Sequence, residues 1–339
     1  MQPCHSSEKK SFQKSKGSHK LRSLPFLFQR CSISCRVGRL PGWSGALALA
    51  VMVSAAGCSS GSQATVRPNP LAADTQGESA IAQQPTASVD SESHNADVLA
   101  AIAPTQVIYL GETHNSEADH AAQLTIIESL DAENEIAIGL EMFQRPFQPA
   151  LDSYLADEIT EAELIEQSEY ETRWGYDWEL YAPILRYAKE NQIPLIALNT
   201  PAEVTRQVAI EGLESLSGDA LIYIPPVGEV DTTDEAYRAS VSEVFSAHGG
   251  AGHSMSFENF FAAQVLWDET MADRVVTQLK AEPDRQVVVL AGEGHIAYDY
   301  GIPNRVERRL PEIEQASVRL TSAEQEPNPE FSDFWWITP

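Results

Sequence analysis

The chain has 339 residues, of which 43% are hydrophobic, so it is long enough to form one large domain or two small ones around a substantial core. It carries 23 Lys and Arg against 49 Asp and Glu, a formal net charge of −26 at pH 7. A surface this acidic repels polyanions, which argues against nucleic acid as a partner.

The amino-terminal segment differs sharply in charge from the rest of the chain. Residues 1–57 contain nine basic residues and one acid, which leaves 14 basic and 48 acidic residues after position 57, a formal charge of −34. All four cysteines lie within the first 58 residues. We therefore expect the globular part to contain neither disulfides nor thiol chemistry.

Residues 45–54 form an apolar, small-residue run that follows Arg36 and Arg39 and leads into Ala-Ala-Gly-Cys58. The pattern is typical of a secretory signal, and its end resembles the bacterial lipobox, in which the cysteine is lipidated. We expect a signal peptide over residues 1–57, lipidation of Cys58 and a disordered tether over residues 58–96. A transmembrane anchor or an ordinary cleaved signal is the alternative. The long basic preamble is consistent with a start codon assigned too far upstream.

After the tether, short β-branched runs alternate with helical patterns, which predicts βαβ units. Strands are predicted over residues 106–110, 136–140, 194–198, 286–290 and 316–320. Helices are predicted over residues 116–133, 147–155, 160–170, 178–191, 202–216, 234–247, 256–280 and 304–310. The expected fold class is α/β: a mainly parallel sheet flanked by helices, with a helical insertion after the second strand. This domain is expected over residues 97–325, followed by a C-terminal tail over residues 326–339.

Two of the predicted strands end in the same way. The first runs into Gly-Glu112-Thr-His114, and the fourth into Gly-Glu293-Gly-His295. In an open α/β sheet, ligands bind at the carboxyl ends of the strands, so two such units can meet at one site. Histidine and glutamate are costly to bury unless they coordinate, pair or react. The repeated ending therefore predicts a pocket lined by His and Glu.

Other polar residues join this predicted pocket. Glu141 and Asn199 end the second and third strands, and His120 follows His114 at the start of a helix. Imidazole and carboxylate groups bind zinc, manganese or a similar divalent metal and activate water, with a further Glu as general base. The same groups also line haem pockets. The spacing does not separate these two chemistries, because His-x5-His is not a standard zinc motif.

Two further features bear on the choice between a divalent-metal site and a haem pocket. A Gly-rich loop holds His248 and His253 and is followed by Met255, all ligand types that iron favours, although a solvated loop with incidental histidines is an equal alternative. Tyr298 and Tyr300 come directly after Gly294-His295 and offer phenolic oxygens and flat apolar faces.

A set of motifs in a fixed order resembles one known family. The set comprises Gly-Glu-Thr-His, His120-x-x-Gln123, Leu-Glu141-Met-Phe, Trp174 with Trp178 and Tyr181, Asn199-Thr-Pro, Gln264-x-x-Trp-Asp-Glu-x-Met-Ala, Gly-x-Gly-His295 and Gly301-x-Pro. Together they look like the ChaN-type haem-binding lipoproteins, part of the superfamily that includes Tiki, TraB and erythromycin esterase. The resemblance covers residues 98–311. Its motifs are specific as a set and weak singly.

The resemblance implies an outer-membrane lipoprotein of the bacterial cell envelope that binds haem and takes part in haem or iron uptake. It implies a tyrosine as iron ligand, with Tyr298 preferred and Tyr300 in reserve, and a homodimer around paired haems. The implied haem contacts are His114, His120, Glu141, His253, His295, Tyr298 and Tyr300. Family members often have two adjacent histidines where this chain has Asp119-His120, so a role that needs both imidazoles is in doubt.

In the Tiki and erythromycin-esterase branches, the paired Gly-x-x-His motifs look catalytic. The alternative prediction is therefore a metal-dependent or Glu/His-dependent hydrolase, of the esterase or peptidase kind, that uses Glu112, His114, Glu141 and His295.

Overall fold

The structure is a computed structural model that describes residues 91–247, 255–325 and 327–338. The predicted signal peptide, Cys58 and the two loop histidines, His248 and His253, lie outside these residues. Within the described ranges, no helix is both long and apolar enough to cross a membrane.

Six strands form one parallel sheet in the order β3-β2-β4-β1-β5-β6. Their bounds are β1 Val107–Glu112, β2 Ile136–Gln144, β3 Leu195–Asn199, β4 Gln286–Gly292, β5 Gln315–Ser322 and β6 Phe334–Thr338. The central strands are apolar and buried on both faces, as expected for strands covered by helices on each side. Since all the strands are parallel, all their carboxyl ends lie at one edge of the sheet.

Ten α-helices are found in the described residues. They are α1 Ser91–Ile102, α2 Glu117–Asp131, α3 Gln148–Leu155, α4 Glu161–Gln167, α5 Tyr170–Arg173, α6 Trp178–Glu190, α7 Ala202–Glu211, α8 Glu235–Ala247, α9 Phe257–Ala281 and α10 Ile302–Arg309. Helices α3 to α6 lie between β2 and β3, which confirms the predicted helical insertion. Ser116 caps α2 by accepting a hydrogen bond from the Asp119 amide, as the sequence indicated.

Alternate residues of each central strand pack into two separate cores. Ile108, Leu110, Val288 and Leu290 belong to the core that also contains residues of α2 and α6. Residues between them, such as Tyr109 and Val289, belong to the core beneath α9 and α10. This period of two is what a strand covered on both faces requires. The long helix α9 therefore lies on the opposite face of the sheet from α2.

The structure differs from the predicted domain limits at both ends. Helix α1 begins at Ser91, inside the segment expected to be a tether, and the expected tail contains β6. These elements hold each other: the Asn95 side chain bonds both the N–H and the C=O of Ile337, and His94 Nε2 lies 2.9 Å from the Trp335 carbonyl oxygen. The polar side chains of α1 thus cover the outward edge of β6, so that each element stabilises the other.

Two of the predicted helices are shorter than expected. The pattern over residues 160–170 ends as α4 at Gln167, and a separate short helix, α5, begins at Tyr170 after Glu169 takes a left-handed conformation. The pattern over residues 202–216 ends as α7 at Glu211, because Gly212 has a φ of 85°.

Candidate functional site

The two Gly-Glu-x-His endings lie side by side at the carboxyl edge of the sheet. Strands β1 and β4 are neighbours, and Glu112 is in register with Gly292. The His114 ring packs directly over Gly292, where a Cβ atom would lie 2.8 Å from both Cε1 and Nε2 of the ring. The second glycine therefore makes room for the first histidine, and the two motifs form one site.

Glu112 is the buried centre of one half of this site. Its carboxylate accepts hydrogen bonds from His114 Nδ1 at 2.8 Å, from the Tyr181 hydroxyl at 2.5 Å and from Gln123 Nε2 at 2.7 Å. Burial alone would raise the pKa of Glu112, but the hydrogen bond from His114 and the adjacent His120 lower it overall. The group is held as a carboxylate.

His120 faces inward rather than into an open cleft. It is buried, with Nδ1 3.0 Å from Gln123 Oε1 and Nε2 3.1 Å from the His114 carbonyl oxygen. Its ring also meets Tyr181 edge-on at 4.4 Å. Both ring nitrogens of His120 therefore already have oxygen partners within the protein, unlike the ring of His114.

The other half of the site is a row of buried acid and base groups around His295. Nε2 lies 3.3 Å from Glu141 Oε1, and Nδ1 lies 2.6 Å from Asp268 Oδ1. The Tyr237 hydroxyl donates to the other Asp268 oxygen at 2.6 Å, and the Gly292 amide donates to Glu141 at 2.7 Å. His295 is thus clamped between two carboxylates.

The charges of this row follow from its geometry. Burial alone would lower the pKa of His295, but Glu141 and Asp268 raise it to about 10. Burial would likewise raise the pKa of Glu141, but His295 lowers it to about 2. At neutral pH the row therefore contains an imidazolium between carboxylates.

His114 is the histidine of the site that reaches the surface. Its side chain is 12% exposed and meets Trp174 edge-on at 4.8 Å and Tyr176 at 5.0 Å. Burial would lower the pKa of His114, but the hydrogen bond with Glu112 and the charge of Glu141 raise it overall. The ring is held at one nitrogen by Glu112 and bordered by aromatic faces.

Glu293 does not join this cluster. Although it occupies the position of Glu112 in the repeated motif, a 3-10 turn begins at Glu293 and its carboxylate pairs with Arg319 Nε at 2.9 Å. Glu141, from the end of β2, stands beside His295 instead. Asn199 also has a local role, because its Nδ2 donates to the Glu141 carbonyl oxygen at 2.9 Å and links β3 to β2.

Tyr298 and Tyr300 lie on the turn that follows His295. Tyr298 and Asp299 both have left-handed backbones, with φ of 58° and 57°. The Tyr298 side chain is 37% exposed, stacks on Tyr300 at 5.5 Å and meets Phe331 edge-on at 5.1 Å. The turn closes on itself at Gly301, where a Cβ atom would collide with the His295 carbonyl.

Five further residues of the site come from helices rather than strand ends and were not among the expected pocket residues: Gln123, Tyr181, Tyr237, Gln264 and Asp268. All but Tyr237 occur in the family motifs. A signal was present for Asp268, since Asp268 and Glu269 interrupt the apolar face of α9, where charged residues need partners. Among the residues that the structure describes, no group of three or more His, Cys, Asp or Glu side chains is arranged to hold a metal ion.

Comparison with known proteins identifies one family and several similar structures. A family model described as "Haem-binding uptake, Tiki superfamily, ChaN" matches residues 98–306. ChaN of Campylobacter jejuni, solved with cofacial haem binding, aligns with a TM-score of 0.57 and 18% identity over 72% of this chain and 91% of that one. An erythromycin esterase mutant in its open conformation aligns with a TM-score of 0.42 and 16% identity, over 67% of this chain and 72% of that one.

One curated relative also matches. The chloroplastic protein RETICULATA-RELATED 5 of Arabidopsis thaliana is 27% identical over 253 residues, which cover 69% of this chain. The match spans about a third of that relative's length, 34%.

Proposed function

We propose that this chain, which belongs to the ChaN family of haem-binding uptake proteins in the Tiki superfamily, binds haem through the turn that carries Tyr298. The turn lies at the carboxyl edge of a parallel sheet, where α/β proteins bind their ligands. The proposal includes haem capture in the bacterial cell envelope as part of haem or iron uptake.

The observation that carries the proposal is the exposed Tyr298 side chain on a strained backbone. Two consecutive non-glycine residues in the left-handed region cost on the order of 1–3 kcal/mol each, and such outliers cluster at functional sites. The turn is fixed by the Tyr298 amide, which donates to the Phe331 carbonyl at 2.8 Å. The strain thus serves to present a phenol at the surface.

The residues around Tyr298 fit a haem. A phenolic oxygen is a known ligand of haem iron, and the rings of Tyr300 and Phe331 add apolar faces beside it. A bound haem would supply an iron centre. Tyr298 would hold the iron through its phenolic oxygen, and the rings of Tyr300 and Phe331 would exclude water. The finer proposal, a homodimer around paired haems, requires this surface to be open to a second copy.

Titration with haemin tests the proposal. Wild-type protein is expected to shift the Soret band with saturable stoichiometry, and Tyr298→Phe is expected to lose the tyrosinate charge-transfer signature and weaken binding. Tyr300→Phe tests the reserve ligand. Tyr223→Phe is the matched control, because Tyr223 is also 37% exposed. The absence of saturable binding by the wild type would refute haem binding. An unchanged spectrum in Tyr298→Phe would refute the ligand.

The proposed location is the outer membrane, with lipidation at Cys58. Support comes from the lipobox-like sequence and from the 32 residues that separate Cys58 from Ser91, where the first described helix begins. In a bacterial host, Cys58→Ser is expected to move the protein from the membrane fraction to the soluble fraction. Unchanged membrane retention would refute the anchor.

A hydrolase is the second candidate, and the buried Glu112–His114 and Glu141–His295–Asp268 groups favour it. They place the His114 imidazole near His295, whose charge Glu141 and Asp268 stabilise. This arrangement suits general acid–base catalysis with electrostatic stabilisation of an oxyanion. If the protein cleaves esters or peptides, His114→Ala is expected to abolish turnover without altering haemin binding. Zinc and manganese content, measured on the same preparations, decides whether a divalent metal takes part.

A further inference from the structure

We propose that Arg319 binds a carboxylate group of the ligand, and that for haem this group is a propionate. The inference rests on the proposed haem function and assigns a recognition role to a residue outside the cluster of His and Glu. It identifies the ligand class as a flat apolar molecule that carries a carboxylate beside its ring.

Arg319 is placed at the correct edge of the sheet. It lies near the carboxyl end of β5, in register with Gly111, one residue before Glu112 in β1. Its guanidinium therefore comes from the same row of strand ends that carries the rest of the site, on the side of β1 away from β4.

An aromatic ring connects Arg319 to Tyr298. The guanidinium lies over the Phe331 ring at 4.2 Å from the ring centroid, and Phe331 in turn meets Tyr298 edge-on at 5.1 Å. A single ring thus separates the proposed iron ligand from the cation. A porphyrin places its propionates at the rim of its ring system, so a cation one aromatic ring away from the iron ligand is within their reach.

The guanidinium has hydrogen-bonding capacity left for a ligand. In the described part of the chain, its side-chain hydrogen bond uses Nε alone, toward Glu293 Oε1 at 2.9 Å. Its two terminal nitrogens carry four N–H donors, and the side chain is 19% exposed. A guanidinium with a free fork binds carboxylates with two parallel hydrogen bonds.

The surrounding charge makes such a residue necessary. Glu293, Asp299 and Asp333 lie around the Tyr298 turn and β5, and the chain as a whole is strongly acidic. Haem with two ionised propionates would be repelled by this surface unless a cation met at least one of them. Arg319 provides this cation, and its contacts with Glu293 and Phe331 already orient its guanidinium.

The test compares haemin with its dimethyl ester, which has the same ring and iron but no free carboxylates. Dissociation constants are measured for wild type, Arg319→Gln and Arg173→Gln. Arg173 is the matched control: its side chain is also 19% exposed, its Nε pairs with Glu169 at 2.8 Å, and it lies over the Phe147 ring at 5.0 Å.

Arg319→Gln is expected to weaken haemin binding by about tenfold to a hundredfold, the range for loss of a charge-assisted hydrogen bond, and to leave binding of the ester unchanged. Arg173→Gln is expected to bind both ligands as wild type does. Equal weakening for haemin and ester would assign Arg319 a structural role and overturn the inference, as would unchanged haemin binding. If wild type binds neither ligand, the proposed function itself fails, which is a separate result.

Glu293→Gln provides a second variant that keeps the guanidinium in place. Because glutamine keeps an oxygen that can accept from Arg319 Nε and removes the negative charge beside the guanidinium, haemin is expected to bind at least as tightly as to wild type, again with no change for the ester. Weaker haemin binding by this variant, with unaltered thermal stability, would contradict a role for Arg319 as the free cation.

Discussion

The charge on His295 predicts a specific dependence of stability on pH. The folded pKa of about 10, against an ordinary value of 6.5, means that the folded protein holds a proton that the unfolded chain has released. His295 therefore stabilises the fold fully below pH 6.5, and this contribution is lost as the pH rises towards 10. At ~1.4 kcal/mol per pKa unit, the contribution is about 5 kcal/mol.

The assay is urea unfolding of wild type and His295→Gln at several pH values between 6 and 10. Because glutamine does not titrate here, the variant lacks the contribution. The difference between the two free energies of unfolding is expected to be largest near pH 6.5 and to shrink by up to ~1.4 kcal/mol per pH unit above it. A difference that stays constant across the range would show that His295 holds no extra proton in the folded protein.

A buried polar residue that does not titrate is the matched control for this experiment. Thr270 lies on the same helix as Asp268 and donates to the Leu266 carbonyl at 2.7 Å. Thr270→Val is expected to lower the free energy of unfolding by the same amount at every pH. The comparison separates a general loss of stability from loss of the proton on His295.

Three further changes test the packing around the site. Gly292→Ala places a Cβ atom 2.8 Å from two atoms of the His114 ring and is expected to destabilise the fold by about 1–3 kcal/mol, measured by thermal unfolding. Glu269→Gln removes the buried charge that pairs with arginines of α10 and is expected to cost about 3–5 kcal/mol in urea unfolding. Asn95→Ala removes both hydrogen bonds to Ile337 and is expected to cost about 1–3 kcal/mol and to promote concentration-dependent association, measured by light scattering.

Each of these changes has a control or a contrary outcome. Gly111→Ala should be far milder than Gly292→Ala, because the nearest atoms to its Cβ lie at 3.6 Å. A stable Glu269→Gln protein would mean that the arginines find water or another acid. Association by Asn95→Ala at the wild-type rate would mean that the edge of β6 is protected by other means.

The sequence predicted strands β1 to β5 and the polar residues that follow them, because both depend on local patterns. Apolar runs followed by Gly-Glu-x-His mark β1 and β4, and the expectation that these ends lie together is confirmed by the pairing of Glu112 with Gly292. The sequence could not predict that Glu293 pairs with Arg319 and that Glu141, not Glu293, lies beside His295. The position of Glu141 depends on the order of the strands, and that of Glu293 on a 3-10 turn.

The partners from helices were harder to predict for a different reason. Tyr181 and Tyr237 are buried aromatic residues, and a role for their hydroxyl groups is evident only once the fold places Glu112 and Asp268 beside them. Strand β6 had a local signal in Phe334-Trp-Trp-Ile-Thr338, typical of a strand, but its neighbours suggested a tail. Such a strand can be recognised only when the neighbouring strand with which it pairs, here β5, is known to have a free edge.

The contact between α1 and β6 decides how the protein responds to mechanical load. If the chain is tethered at its amino terminus, a pulling force reaches α1 first among the described elements, and the Asn95 and His94 side chains of α1 hold the last strand. That force would load those side-chain contacts before it reached the pairing of β1, β2 and β4. The contact between α1 and β6 would therefore bear the load first, which protects the carboxyl edge of the sheet where the site lies.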